Sequence, residues 1–305
     1  MIIVMVGPTA VGKSSLAIDV AEQLIRAERP AEIVNSDSMV VYQGMDIGTA
    51  KPTPAERRGV PHHLIDVLDI STTATVADFQ QMARTVITSC LAAGSTPILT
   101  GGSFLYVRAI IDAFSFPGTD PAVRAGLEDE LSAVGAPAMH ARLAARDPAA
   151  ASAILPSNGR RIVRALEVIM ITGQPYGGSL PSHEYALPGV VQVGLDAPRD
   201  WLDERIERRV HLMWEAGFVD EVRRLEARGL RDARTARVAI GYRQVLEFLA
   251  GEITEAEAIR RTIVLTRRFS RKQGGWYRRD DRVHWLDART ATATDVITLA
   301  DQAAQ

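Results

Sequence analysis

The stretch Gly7-Pro8-Thr9-Ala10-Val11-Gly12-Lys13-Ser14 constrains the fold more than any other part of the chain. It matches the spacing G-x-x-x-x-G-K-[ST], in which glycines let backbone N–H groups turn toward a phosphate. The lysine reaches the outer phosphate, and the hydroxyl can bind Mg²⁺. An apolar run at 2–6 precedes the motif and a helical pattern at 15–21 follows it. This order predicts a buried strand, a phosphate-binding loop and a helix.

Length and composition fit one large α/β domain, or such a domain with an insertion. The chain has 305 residues, of which 47% are apolar, enough for a sizeable core. Its one cysteine, Cys90, excludes a disulfide framework and indicates a reducing compartment. The first apolar run is too short for a signal peptide or a membrane span. We therefore expect a cytoplasmic protein that has no membrane partner.

Further strand patterns at 31–35, 97–100 and 190–195 alternate with helical ones. Such alternation predicts a doubly wound parallel sheet of the P-loop NTPase-like type, in which ligands bind at the carboxyl ends of strands. Asp37 and Gly101-Gly102-Ser103 follow two of these strands, so we expect both near the phosphate-binding loop. The alternative for Asp37 is a turn or helix-cap residue.

The segment 117–188 differs from the rest of the chain. It is alanine-rich and shows no strand pattern until the end of the segment, and Asp120-Pro121 is a suitable cap and first residue for a helix. We predict an inserted all-helical subdomain at 117–188. The core then comprises a first part at 1–116 and a second part at 189–305.

Basic residues cluster between 260 and 282, although the net charge of the chain is only −2. Phe269, Trp276 and Tyr277 are interleaved with them. Cations mixed with stacking rings favour single-stranded or looped RNA, whereas a solvated amphipathic helix is the alternative. The cluster predicts a local RNA-binding surface on a protein of near-neutral charge.

Only three of the 35 basic residues are lysines: Lys13, Lys51 and Lys272. A compact ammonium differs from a planar guanidinium at a tight site, so a lysine in such an arginine-rich chain is informative. Most of the arginines Arg205, Arg208 and Arg209, by contrast, are interpreted as a solvated helix face that pairs with Glu204 and Glu207.

Three functions fit a loop that holds a diphosphate and Mg²⁺. A small-molecule kinase would use Asp37 to activate an acceptor hydroxyl. A prenyltransferase would use the loop for diphosphate as a leaving group, with Lys13 stabilising its charge and Asp37 deprotonating an attacking amine. An RNA-binding P-loop protein with a regulatory nucleotide site is the alternative that is not an enzyme.

Several blocks of the sequence resemble the tRNA dimethylallyltransferase family, the isopentenyl-diphosphate:tRNA transferases. The most specific block is Gly-Met-Asp-Ile-Gly-Thr-Ala-Lys-Pro at 44–52, and the resemblance runs from residue 1 to about 286. The other blocks lie at 7–14, 37–38, 101–106, 161–167, 241–244 and 271–276.

The resemblance implies a Mg²⁺-dependent transfer. The dimethylallyl group would pass from dimethylallyl diphosphate to N6 of the adenosine that follows the anticodon in tRNAs reading codons that start with U. The inserted helices would bind the anticodon stem-loop. We also expect the protein to be a monomer.

The resemblance also implies residue roles. The catalytic positions are Asp37 as general base, Lys13, Ser103 and Arg243. Those that bind the diphosphate are Gly7, Thr9, Ala10, Val11, Gly12, Lys13 and Ser14, and Ser14 would also bind the metal. Those that contact tRNA are Asp37, Ser38, Met39, Val40, Ser103, Arg124, Arg160, Arg161, Arg164, Gly241, Tyr242, Arg243, Arg271, Lys272, Gln273, Trp276 and Arg278.

Overall fold

A computed structural model describes residues 1–114, 116–176 and 183–303 of the chain. Strands and single helices follow one another in the first part of the chain, and longer runs of helices lie between the later strands, with a 3-10 turn at Ala236–Val238. The strands and helices, in chain order, are β1 (Ile2–Val6), α1 (Lys13–Arg26), β2 (Ala31–Asn35), β3 (His62–His63), α2 (Val76–Ala92), β4 (Thr96–Thr100), α3 (Phe104–Ile111), α4 (Pro121–Arg146), α5 (Pro148–Ala153), α6 (Gly159–Thr172), β5 (Val190–Asp196), α7 (Arg199–Glu215), α8 (Phe218–Ala227), α9 (Tyr242–Leu249), α10 (Glu255–Tyr277), β6 (Val283–Asp287) and α11 (Ala293–Ala303).

The strands form one sheet in the order β3-β2-β4-β1-β5-β6, and every strand pair in it is parallel. Successive residues of β1 face opposite sides, so Ile3 and Met5 join one apolar cluster while Ile2 and Val4 join the other. Helices α1 and α11 contribute to the first cluster, and α2, α3, α8 and α9 to the second. The predicted doubly wound parallel fold is confirmed. Within the described residues, no helix is long and apolar enough to span a bilayer.

The chain divides into two compact units. The first combines Met1–Asp112 with Tyr185–Gln305, and the second is Ala113–Glu184. The second unit thus begins at 113 rather than the predicted 117, and ends at 184 rather than 188. Positions 177–182 of the predicted helical segment lie outside the described residues.

The second unit is built from α4, α5 and α6 around its own apolar cluster. The Asp120 carboxylate caps α4 by accepting from the N–H groups of Ala122 and Val123, at 2.8 and 3.1 Å, which fits the role predicted for Asp120-Pro121. Gly135 interrupts α4 with a φ of 81°, a conformation that favours glycine.

Within the first unit, the two chain ends that flank the second unit are neighbours. Asp112 and Tyr185 form an isolated antiparallel bridge. Asp112 is fully buried and pairs with Arg108 at 2.6 Å and with Arg282 at 2.7 Å. The Arg282 guanidinium lies 4.2 Å from the centre of the Tyr185 ring. Ion pairs and hydrogen bonds thus fix the geometry of this junction, which we call the neck.

Candidate active site

The phosphate-binding loop turns sharply between β1 and α1. Gly7 has a φ of 134°, and a Cβ atom there would lie only 2.4 Å from the carbonyl oxygen of Leu195 in β5, so the position excludes a side chain. Gly12 has a φ of 109° and immediately precedes α1. The loop therefore delivers Lys13 and Ser14 as the first residues of a helix, where the N–H groups and the helix dipole favour an anion.

Lys13 is a buried cation whose hydrogen bonds go to neutral groups. Its Nζ donates to the carbonyl oxygens of Gly7 and Pro8 at 2.9 and 2.7 Å. Burial lowers the pKa of Lys13 to about 7; the charge of Arg209 adds to this effect, and the charge of Asp37 opposes it. The side chains of the site thus neutralise the positive charge of Lys13 and Arg209 only in part.

Asp37 lies just beyond the end of β2 and is half-buried. Its Oδ1 accepts from the N–H of Met39 at 2.8 Å. Asn35 stabilises this turn: its Oδ1 accepts from the Asp37 N–H at 2.9 Å, and its Nδ2 donates to the Asp37 carbonyl at 2.9 Å. The carboxylate is therefore held by a hydrogen-bonded turn at the carboxyl edge of the sheet, and it lines the same cavity as Lys13.

Helix α7 contributes Arg205, Arg208 and Arg209 to the cavity, whereas the sequence predicted a solvated helix face for most of them. Arg205 donates through Nε to the Ala10 carbonyl at 2.9 Å, and Arg209 donates to the Thr49 carbonyl at 3.4 Å. Burial lowers the pKa of Arg209, against the opposing charge of Asp37. With Arg208, both line the cavity. The solvated-face interpretation is wrong for Arg205 and Arg209.

A signal for these arginines was present in the sequence. Arg205, Arg208 and Arg209 stand at i, i+3 and i+4, which places them on one face of a helix. The sequence does not show whether that face points toward the cavity or toward solvent, because the packing of the helix decides its direction.

Gln273 joins the two glycine-containing segments of the site. It is fully buried in α10; its Oε1 accepts from the Thr9 N–H at 2.8 Å, and its Nε2 donates to the Gly102 carbonyl at 2.5 Å. Both ends of the amide are therefore engaged inside the protein. A Cβ on Gly102 would lie 2.3 Å from Nε2, which explains the glycine at that position.

These elements enclose a cavity of about 330 Å³, a volume typical of small-molecule sites. Its cationic lining comes from Lys13 and the α7 arginines, and Asp37 is its carboxylate. Apolar side chains complete the wall. They are Ile33, Val40, Ile65, Leu212 and Phe269.

Ser14 and Asp37 are the groups best suited to Mg²⁺ in this cavity. The Ser14 hydroxyl is exposed at the first turn of α1, and both residues line the cavity. Hydroxyl and carboxylate oxygens are hard donors of the kind that Mg²⁺ prefers, and diphosphate oxygens would complete the set.

Of the other predicted residues of the first unit, Val40 lines the cavity, and the rest lie in different environments. Ser103 is half-buried and precedes α3, directly after Gly102. Ser38 and Met39 are half-buried, whereas Val40 is buried. Arg243 is exposed and donates to Glu247 at 2.8 Å. Tyr242, by contrast, is fully buried.

Arg271 in α10 and Arg278 just after it, both predicted to contact tRNA, already have acidic partners. Arg271 pairs with Asp203 at 2.7 Å and Arg278 with Asp196 at 2.5 Å. Trp276 stacks on Phe104 with ring centres 6.0 Å apart and remains 39% exposed. An RNA phosphate at these arginines would therefore have to replace a carboxylate.

The second unit contains four of the predicted tRNA contacts. Arg124 and Arg164 both pair with Glu167, at 3.2 and 2.8 Å, and Glu167 is fully buried. Arg160 and Arg161 are exposed in the first turn of α6. Four of the predicted arginines thus lie on two helices of one unit. The Glu167 carboxylate orients two of them, Arg124 and Arg164.

Comparison with known proteins identifies the family. The model of the IPP transferase family matches residues 40–280. The chain belongs to this family. The tRNA dimethylallyltransferase of Thermobifida fusca is 63% identical over 285 residues, which cover 93% of this chain and 89% of that protein. That of Streptomyces avermitilis is 57% identical over 299 residues, or 98% and 94% of the two chains.

Solved structures agree with the sequence matches. The full-length tRNA isopentenylpyrophosphate transferase of Bacillus halodurans superposes with a TM-score of 0.70 at 39% identity, covering 99% of this chain and 94% of that one. A eukaryotic dimethylallyltransferase acting on tRNA gives a TM-score of 0.78 at 25% identity, covering 99% and 76%. The family predicted from the sequence, and with it the transferase class, are confirmed.

Proposed function

We propose that this IPP transferase moves the dimethylallyl group from dimethylallyl diphosphate to N6 of the adenosine that follows the anticodon, in tRNAs that read codons starting with U. The observation that carries the proposal is the partly neutralised cation pair Lys13 and Arg209, which shares a cavity with one carboxylate and an apolar wall. A diphosphate supplies the missing negative charge, and a short hydrocarbon suits the apolar residues.

In the reaction, the bond between C1 of the dimethylallyl group and the diphosphate oxygen breaks, and its electron pair leaves with the diphosphate. The N6 lone pair forms the new bond to C1. The N6 proton passes to the Asp37 carboxylate, which the Asn35 and Met39 contacts keep oriented. Lys13, the loop N–H groups and the α7 arginines stabilise the negative charge that develops on the leaving group.

The Ser14 hydroxyl, the Asp37 carboxylate and the diphosphate oxygens would hold Mg²⁺. When bound, it neutralises part of the leaving-group charge. We assign Arg209 to the diphosphate as well, because its side chain lines the cavity beside Lys13.

For tRNA we retain the predicted surface of α10 and the arginines of the second unit. Arg271 and Arg278 pair with carboxylates at an exposed surface, and a phosphate can likewise accept two hydrogen bonds from a guanidinium. Replacing Arg271 or Lys272 by alanine should weaken tRNA binding and reduce its salt slope by about one per residue. Arg26, which is exposed and pairs with Glu22 on α1, is the matched control. The predictions of a monomer and of a cytoplasmic location remain predictions.

The decisive experiment compares two labelled donors. The protein is incubated with Mg²⁺ and unmodified tRNA, once with labelled dimethylallyl diphosphate and once with γ-labelled ATP. Label in the tRNA from the first donor alone supports the proposal, and its position at N6 is read by nucleoside analysis. Label transferred from ATP to a small molecule, with none from the prenyl donor, would establish the kinase alternative instead.

A further inference from the structure

The loop 44–52, the most distinctive block of the sequence, forms one wall of the cavity. Its residues Thr49, Ala50 and Pro52 line the site together with Lys13 and Asp37. The loop has no regular secondary structure, so something else must fix its position.

A single buried carboxylate binds the backbone of this loop. Glu221 of α8 is 3% exposed. Its Oε2 accepts from the N–H groups of Asp46 and Ile47 at 3.1 and 2.7 Å, and its Oε1 accepts from the Gly48 N–H at 3.3 Å. Three consecutive backbone amides that converge on one anion form a nest, with the protein supplying its own anion.

The fourth donor to Glu221 comes from a distant segment. The Tyr242 hydroxyl donates to Oε1 at 2.5 Å, and Tyr242 is fully buried at the start of α9. Two carboxylate oxygens that accept four hydrogen bonds match the capacity of the ionised group. Burial, together with the Glu221 charge, raises the pKa of Tyr242, so the phenol stays a donor.

Packing reinforces the hydrogen bonds. A Cβ on Gly48 would lie 2.3 Å from the Phe218 ring and 2.5 Å from the Tyr242 ring. These two rings meet edge to face, with centres 5.0 Å apart. The loop backbone therefore lies directly on the aromatic pair, and only glycine fits at this position.

We propose that Glu221 and Tyr242 are positioning residues for the diphosphate donor: they fix loop 44–52 as a wall of the cavity without contacting the reacting atoms. The inference rests on the proposed function for the identity of the donor. Because the wall contacts donor and transition state alike, its loosening raises KM and leaves kcat nearly unchanged.

The test uses Glu221→Gln in the full-length protein. A neutral amide keeps one acceptor oxygen but turns an NH₂ group toward backbone donors. We expect amide hydrogen exchange at 46–48 to accelerate at least tenfold, with the exchange of 7–14 unchanged. The KM for dimethylallyl diphosphate should rise about tenfold, with kcat within twofold of the unmodified enzyme. Tyr242→Phe keeps the ring and removes one bond, so the same changes should be smaller.

Glu226→Gln is the matched control, because Glu226 lies on the same helix and pairs at the surface with Arg231. Unchanged exchange at 46–48 in Glu221→Gln, or a fall in kcat at constant KM, would overturn the positioning role. Calorimetric binding of inorganic diphosphate separates this proposal from the proposed function. A weaker diphosphate affinity in Glu221→Gln supports positioning even if the unmodified enzyme fails to prenylate tRNA, and an equal affinity contradicts it.

Discussion

Two buried lysines of this chain stand in opposite electrostatic situations. Lys51, in loop 44–52, donates to the carboxylates of Asp46 and Asp66 at 2.6 and 2.5 Å, and to the Tyr42 carbonyl at 2.8 Å. Lys13, in the phosphate-binding loop, donates to two carbonyls, and burial lowers its pKa to about 7. Each is 8% exposed, so burial alone does not separate them.

This difference in hydrogen-bond partners indicates a different role for each lysine. A lysine that two carboxylates neutralise is part of the scaffold, because its interactions are complete without a ligand. A lysine buried among carbonyls and beside Arg209 lowers the stability of the empty protein and gains its best partner only when an anion binds. Lys51 thus stabilises the structure of loop 44–52, whereas Lys13 provides a cation for an anionic ligand in the phosphate-binding loop.

The largest expected effect comes from Lys13→Met. Transfer should fall by about 10³-fold in kcat/KM, because the leaving group loses a preorganised cation. The thermal unfolding temperature should stay equal or rise, since a buried, partly neutralised charge is removed. Rates from labelled-donor assays and a melting curve test both parts. A clear loss of stability would mean that Lys13 is scaffold, like Lys51.

Asp37→Asn should lower turnover by roughly 10²-fold, the usual scale for loss of a general base, and leave tRNA affinity nearly intact. It also removes the negative charge that supports Lys13 and Arg209, so the pKa of Lys13 should fall further. Single-turnover kinetics and filter binding measure the first part, and NMR titration of the lysine ammonium the second. Normal turnover with lost tRNA affinity would contradict the role of base.

Lys51→Met should act on the scaffold instead. We expect the free energy of unfolding to fall by about 1–3 kcal/mol, since two half-exposed carboxylates and one carbonyl lose their shared donor. The KM for the donor should rise about tenfold with a small change in kcat. Urea denaturation of Lys272→Met, at an exposed site, is the control. A Lys51 variant as stable as this control would show that the ion pairs contribute little.

The smallest expected effect on ligand binding is a pH dependence. Because Lys13 attracts diphosphate only in its charged form, affinity should fall by up to about threefold between pH 6.5 and 7.5, through a pKa of about 7. The folded pKa lies below the unfolded value, so the unfolded chain binds the extra proton and stability should rise with pH from about 7 to 10.5. Calorimetry of inorganic diphosphate, with Lys13→Met to subtract the titration of the ligand, measures the binding part. An equal slope in both proteins would assign the titration elsewhere.

Much of the site follows from local patterns. The phosphate-binding loop, Asp37 at a strand end and the parallel sheet depend on sequence neighbours and on a general property of parallel sheets, so they could be predicted. The scarcity of lysine marked Lys51 as unusual. Its partners Asp46 and Asp66 could not be inferred, because the paths of the loops between strands decide that contact.

Contacts between distant segments could not be predicted. Gln273 reaches Thr9 and Gly102, and Glu221 reaches loop 44–52, only because α10 and α8 pack against neighbouring helices in a particular rotation. Arg209 was misinterpreted for the same reason: periodicity identifies a helix face and leaves its direction open. A set of seventeen residues predicted to contact tRNA therefore includes Gln273 and Tyr242, whose side chains are buried and bonded inside the first unit.

The neck has a consequence for the connectivity of the chain. Asp112 and Tyr185 pair across an antiparallel bridge, so in topology the whole of Ala113–Glu184 is the loop of a hairpin. A turn of two residues is enough to close a pair of antiparallel strands. A short turn between Asp112 and Tyr185 would therefore replace the whole helical unit without changing the order or the pairing of the sheet strands.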